Sequence, residues 1–389
     1  MRSSLAGEAA AAARRTALEE QTGNIQLGRL SIFAGGGFGV EYNDNVSYSD
    51  QPQQEDLILR PALNLAGALP LSEVNQLYLS LDVSYAKYLH YDHYDHFLIA
   101  PGSQLGFDIY VKDFHFNLHD LITVSESPVA QGAISGVGTY NEFANTAGLA
   151  VDWDLNDLVA SAGYDHEKAI STTSFFSYLD RSSESFFARG AFQFGQAITA
   201  GPEASLGLTA YDRHLLNDNL NYSLGLYADW QATAQLHIKP RVGYTYYTFD
   251  PVPLLPTPPD ASSYFFSLEL TERFNDFVDF AIEAGRQLRL GINSDLIDLW
   301  YVRPRAGIKL FEKAGLEPHF VFEQGTDTGN AIFVPNESYS LIGGGVATSY
   351  QLMEKVTLRL GYDYLVKSSD IPSRNYHQNR VLLEVRYNF

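Results

Sequence analysis

The chain has 389 residues, no cysteine, and 26 Lys and Arg against 46 Asp and Glu, a formal charge of −20. That excludes a disulfide framework and a thiol nucleophile, and so acidic a chain argues against a nucleic-acid partner. No stretch approaches the ~20 continuous apolar residues of a membrane helix. Alternating strands, which hide their apolar half among polar neighbours, escape such a scan.

Residues Met1 to Leu18 carry Arg2, Arg14 and Arg15 but no apolar run of the kind an export signal needs. The expectation is a signal removed or mis-annotated. Residues 1–27 read as a periplasmic N-terminal tail, with a short Ala-rich helix allowed over Leu5–Gly23. Residues 28–389 read as one outer-membrane β-barrel domain.

From there the apolar residues recur at every second position. Candidate strands cover 29–42, 55–67, 73–88, 95–111, 113–125, 142–154, 157–169, 182–197, 201–213, 218–231, 234–248, 262–274, 277–290, 296–311, 315–325, 337–351, 354–367 and 375–389. The fold class is therefore all-β, a transmembrane up-and-down antiparallel β-barrel of about eighteen strands, with sixteen as the alternative count. Lipid offers no partner to an open backbone edge, so spanning strands must close on themselves. Tight connections (Leu155-Asn156-Asp157, Ala232-Thr233, Asn275-Asp276) alternate with longer ones (Asn43–Glu55, Ser127–Tyr140, Ile170–Arg181, Asp250–Ala261, Thr326–Asn336). Short periplasmic turns and longer external loops are the expected asymmetry, which puts both termini in the periplasm.

The pleat assigns each side chain a face. In the last strand Val381, Leu383, Val385, Tyr387 and Phe389 face lipid, and Glu384, Arg386 and Asn388 face the lumen. Inward-facing cations are Arg60, Lys239, Arg241, Arg289, Arg303, Arg305, Lys309, Arg359 and Arg386, many of them on neighbouring later strands as a basic arc. Asp82, Asp279, Glu283, Glu323, Asp363 and Glu384 also face inward, as do Asp108, Asp152, Asp165 and the tyrosines Tyr78, Tyr110 and Tyr227. Together they read as a selective, wet pore wall, or as charges that pair across strands and stabilise it. The membrane girdle is assigned to Trp153 and Trp230, with Tyr387 and Phe389 in the last strand, and to Trp300, Tyr246, Tyr339 and Tyr85 at the outer ends of theirs.

No catalytic motif is present. The cluster His90, His93 and His96 is a weak metal candidate, because residues three apart on a strand point to opposite faces. His115 and His119 share a face, but at ~13 Å they cannot hold one ion. The glycine runs 35–37 and 343–345 lie in strands, outside the strand-to-helix setting of a phosphate loop, so no cofactor is expected. The Pro-rich segment 251–259 reads as a stiff external loop or a lid.

The first strand leaves through Val40-Glu41-Tyr42-Asn43-Asp44-Asn45-Val46. This segment, together with the aromatic C-terminal strand, resembles the β-barrel porins encoded with exopolysaccharide-assembly operons. The resemblance implies secretion of an exopolysaccharide with a periplasmic polysaccharide-export partner. The other expected partners are outer-membrane lipid and lipopolysaccharide, and the barrel-assembly machinery acting through the C-terminal strand. Two alternatives stand beside polymer secretion: a diffusion or nutrient-uptake porin, with Ser127–Tyr140 as the loop long enough to fold inward, and a non-conducting scaffold for another envelope protein.

Overall fold

A computed structural model describes residues 24–389 except 73, 127–134, 136–139, 196, 252–256, 293 and 332–335. The tail helix expected over Leu5–Gly23 therefore lies outside the described residues, as do the core of the Pro-rich segment and most of Ser127–Tyr140.

In chain order the strands are β1 (Ile25–Leu27), β2 (Leu30–Asn43), β3 (Asp56–Pro70), β4 (Gln76–Tyr88), β5 (His96–Ile99), β6 (Gln104–Val111), β7 (Phe114–Glu126), β8 (Asn141–Asp154), β9 (Leu158–Ser171), β10 (Arg181–Phe194), β11 (Ile198–Tyr211), β12 (Asn219–Gln231), β13 (Leu236–Phe249), β14 (Ala261–Arg273), β15 (Val278–Leu290), β16 (Ser294–Phe311), β17 (Ala314–Ala331), β18 (Ser338–Met353), β19 (Val356–Ser369) and β20 (Tyr376–Asn388). Every strand from β2 pairs antiparallel with its neighbours, and β20 pairs back onto β2 to close the sheet. With β5 and β6 counted as one interrupted strand and β1 as a short added edge, the result is a closed barrel of eighteen strands.

Two local features depart from the strand reading. The segment 95–111, expected as one strand, breaks at Ala100-Pro101-Gly102-Ser103, where Pro101 has no N–H to give and Gly102 takes φ +98°. The Ser103 carbonyl and hydroxyl bridge the gap, accepting from the Ile122 and Asp82 amides. At the closing seam, β20 pairs with β2 only from Gly35 upward, and β1 takes the rest of that edge through Ile25↔Ile32. The Asn24 side chain and the Phe389 amide both bond to Ala34 at the junction, so chain entry and chain end share one strand edge without a break.

The molecule is apolar outside and polar within. Leu224 and Leu226 are 67% and 60% exposed on the outer face of β12, and Leu360, Tyr362 and Tyr364 form the same row on β19. Trp153 and Trp230 stand exposed beside the tight turns, with Phe114 stacked on Trp153 at 5.5 Å; Tyr387 and Phe389 lie at that same end. Trp300 is exposed, on the upper part of β16, and the Tyr246 hydroxyl donates to Asp260 at 2.6 Å near the loops. Tyr339 differs from its girdle assignment: it faces the lumen, 3% exposed, because β18 turns its odd positions inward.

Candidate functional site

The inner wall is built by register. Acid meets base on the inner face at three spacings: between neighbouring strands, Arg60 with Glu41 at 2.8 Å and Lys239 with Asp229 at 3.6 Å; across one intervening strand, Arg241 with Glu203 at 2.7 Å and Arg359 with Glu317 at 2.9 Å; and along β20 itself, Arg386 with Glu384 at 2.9 Å. Arg303 lies 3.8 Å from Glu283 and 3.4 Å from Glu323, and Arg289 3.9 Å from the same Glu323. Asp363 holds His319 at 2.9 Å and Arg380 at 3.4 Å. Asp82 faces inward on β4, and Asp279 lies against Gly307. Among the described residues, Arg305 and Lys309 are the two inward cations of that arc with no carboxylate partner, and both are exposed to the lumen. The positive arc is thus largely neutralised, and acids and bases interleave around the wall.

A second polar chain crosses β6 to β9. Asp152 and Asp108 flank His115 at 3.2 and 3.0 Å, Asn117 donates to Asp108 at 2.7 Å, and His119 bridges Asn117 and Asp165 at 3.0 and 2.9 Å. Gly148 makes room for it, since a Cβ there would lie 2.1 Å from Asp165 and 2.5 Å from His119. This is a lumenal lining and not an ion cage. No group of three metal-ligating side chains occurs among the described residues. His90, His93 and His96 are spent separately, on Asp56, on the Tyr94 ring and on the Tyr94 carbonyl, so the metal candidate is not assembled.

The loop end of the lumen is filled. One buried apolar cluster joins Tyr48, Phe176, Tyr178, Leu179 and Leu216 from the loops to Tyr211 on β11 and to Leu341, Leu365 and Tyr376 on the far wall. The upper ends of β15, β16 and β17 lean into this cluster as a flap, with Ile297, Leu299 and Tyr301 on one face. The other face of the flap, Leu288 and Leu296, packs on Tyr247 and Phe249 of the inner face of β13. Polar ties fix it: the Tyr178 hydroxyl donates to the Ile292 carbonyl at 3.0 Å, and the Asn217 amide to Asp295 at 3.0 Å. Across the lumen, Ser135 of the β7–β8 connection bonds Lys367 Nζ at 2.9 Å and the Arg374 carbonyl at 2.8 Å. Below the cluster a cavity of about 520 Å³ remains, lined by Glu269, Glu283, Arg303, Arg305, His319 and Arg380.

Sequence reasoning missed this plug. Its signal was present in Leu296-Ile297-Asp298-Leu299, apolar on both faces, and in the loop Phe175-Phe176-Ser177-Tyr178-Leu179, too apolar to stand in water. Burial raises the Tyr178 hydroxyl to about 12, and burial with the adjacent Glu142 carboxylate raises Tyr140 further still. Both groups favour the packed state while neutral. Its stability is complete below pH ~10, the pKa of a free tyrosine, and is lost as pH climbs through the raised values. The ion permeability of bilayers that hold the protein should therefore rise above pH 10, together with tyrosinate absorbance. Ionisation of all tyrosines at pH 10 with no change in current would contradict this.

No family model matches the sequence, and no curated protein is significantly similar to it. Solved structures do match the fold. The chain is similar to Pseudomonas aeruginosa OpdK with vanillate (TM-score 0.51, 10% identity, 92% of this chain and 99% of that one). It is similar to P. aeruginosa OccK2 in complex with glucuronate (0.51, 10%, 92% and 98%). It is also similar to a BenF-like porin from Pseudomonas fluorescens Pf-5 (0.51, 10%, 92% and 99%). The chain therefore has the fold of an outer-membrane β-barrel porin. The expected link to exopolysaccharide operons gains no support from these likenesses.

Proposed function

We propose that the protein is an outer-membrane channel for passive uptake of small hydrophilic solutes, with the tight turns and both termini in the periplasm. One observation carries this reading. Infolded loops and the flap pack together across the loop end of the lumen, and the cavity beneath them, of about 520 Å³, suits a solute of one or two rings and not a hydrated polymer chain. A wall of interleaved charges with polar linings keeps that cavity wet. The similar folds were solved with vanillate and with glucuronate, so small organic acids are the first solutes to try. Polymer secretion, placed first on sequence grounds, would need the whole plug to leave the lumen at every passage.

Swelling of proteoliposomes tests it. Arabinose and glucuronate should enter faster than into protein-free liposomes, and a decasaccharide should not. Entry of the decasaccharide at the arabinose rate, or no entry of either small solute, would sink the reading.

Selectivity should follow the unpaired cations. Arg305→Glu or Lys309→Glu should shift the permeability ratio toward cations by on the order of twofold, the reach of one charge being ~10 Å in salt. Arg359→Glu, which replaces one half of a pair with Glu317, should disturb the local wall more than the ion preference. Reversal potentials in planar bilayers distinguish the two outcomes.

A further inference from the structure

The barrel wall has a discontinuity at the flap. Cross-strand pairing of β14 with β15 stops at Phe266↔Arg286. On either side the ladders continue higher, β13 with β14 to Tyr247↔Ala261 and β15 with β16 to Leu290↔Leu296. Residues Ala261–Phe265 and Gln287–Leu290 therefore face a gap and not each other. The packing says why: Leu288 and Leu296 occupy the outward-pointing positions of their strands, yet they are 6% and 1% exposed, against the inward-facing Tyr247 and Phe249. The flap has passed inside the β13–β14 wall, and the two sheets overlap across an apolar seal.

The gap has an outer frame and an inner chamber. Outside, the exposed rings of Tyr264 and Trp300 flank Arg286, whose guanidinium lies 4.1 and 5.5 Å from their centroids. Arg286 donates to the Tyr264 carbonyl at 3.1 Å, in place of the next missing rung, and to Asp298 at 2.6 Å. Inside, a cavity of about 80 Å³ adjoins the gap, with Phe187, Phe265, Tyr247, Leu288 and Tyr301 on its apolar side and the Arg241–Glu203 pair on its polar one. Exposed aromatics on the outer face near the loops mark the level of the outer-leaflet interface.

We infer that the seam between β14 and β15 is a lateral port, through which a slender single-chain or single-ring amphiphile passes between the outer leaflet and the lumen. A tail would run between the overlapping sheets, along Phe265, Tyr247 and Leu288, with its polar head toward the wet wall. Arg286 is the post that keeps the seam shut. The gap opens onto the apolar side of the inner chamber, which offers a sugar's hydroxyls no partners, so this route is separate from the axial one.

The chain has no cysteine of its own, which permits a reversible clamp. In Tyr264→Cys/Arg286→Cys the post is gone, and a cleavable bismaleimide replaces it with a covalent one. The readout is uptake of radiolabelled decanoate, a single-chain amphiphile, by cells expressing the channel, with single-channel conductance recorded in parallel. The unclamped variant and Arg286→Ala should take up decanoate several-fold faster than the wild type. Clamping should abolish that gain and reduction restore it, in the same molecules, with conductance unchanged throughout. Decanoate uptake indifferent to the clamp overturns the port, and so does conductance that follows the clamp, since the seam would then belong to the axial path. Failure of the small-solute reading appears separately, as a channel that passes no arabinose.

Discussion

Leu299→Asp should convert the narrow channel into one of several-fold higher conductance while leaving the barrel folded. Leu299 is fully buried on the inner face of the flap, among Ile297, Tyr301 and the loop aromatics. The cations that border its cluster, Arg289, Arg303 and Lys367, are already held by Glu323 and Glu337, and leaving an aspartate buried without a partner of its own costs about 3–5 kcal/mol. The flap relieves that cost by withdrawing from the plug, because water is the one place the carboxylate is solvated. The wall below depends on none of these contacts: β16 keeps its rungs to β15 and β17 from Val302 downward. Leu299→Met, which nearly conserves volume and polarity, should stay close to wild type, at under ~1.5 kcal/mol. Planar-bilayer recordings decide the matter. Wild-type conductance in Leu299→Asp, with heat-modifiable migration intact, would mean that the flap does not limit flow.

The same flap shows where the sequence was and was not legible. The barrel could be read because lipid imposes one rule on every spanning strand. Any slip of register would put Arg241 or Arg303 into hydrocarbon at ~2–4 kcal/mol, so the period of two is enforced wherever a strand crosses lipid. Above the membrane that rule lapses. Strands β16 and β17 run for 18 residues each, far beyond the ~9–11 a bilayer needs. Their upper ends answer to packing between loops distant in sequence, as Tyr178 with Ile292 and Ser135 with Lys367 illustrate. Leu296 and Leu299 sit on opposite faces and are both buried, which alternation alone assigns to lipid and to lumen. The ion pairs were hidden for a related reason. Inward charges are visible in the sequence, but which acid meets which base depends on register between neighbouring strands. Tyr339 shows the cost: read as an interfacial ring, it instead donates inside the lumen to Glu323 at 2.8 Å.

Glu337→Gln should loosen the loop end of the barrel more than any single substitution of its partners. The Glu337 carboxylate is fully buried and serves two cations at once, Lys367 at 2.8 Å through one oxygen and Arg374 at 3.1 Å through the other. The Lys367 ammonium is equally buried, lies over the Tyr339 ring at 4.8 Å, and bonds Ser135. A glutamine keeps the shape but leaves two like charges facing each other out of water, at a cost of about 3–5 kcal/mol. Lys367→Met is gentler, because Glu337 keeps Arg374 and the methionine fills the space of the aliphatic stem. The order of destabilisation should therefore be Glu337→Gln above Lys367→Met, by more than the count of two lost ion pairs against one would suggest. With the ammonium unbalanced, Ser135 loses its hold on β19. Amide exchange across Lys367–Tyr376 should accelerate, and current noise should rise, while exchange in the membrane-embedded rungs of β19 and β20 stays slow. Equal exchange in the two variants would show that Glu337 stabilises the site as one ordinary partner and not as the shared counter-ion of a buried triad.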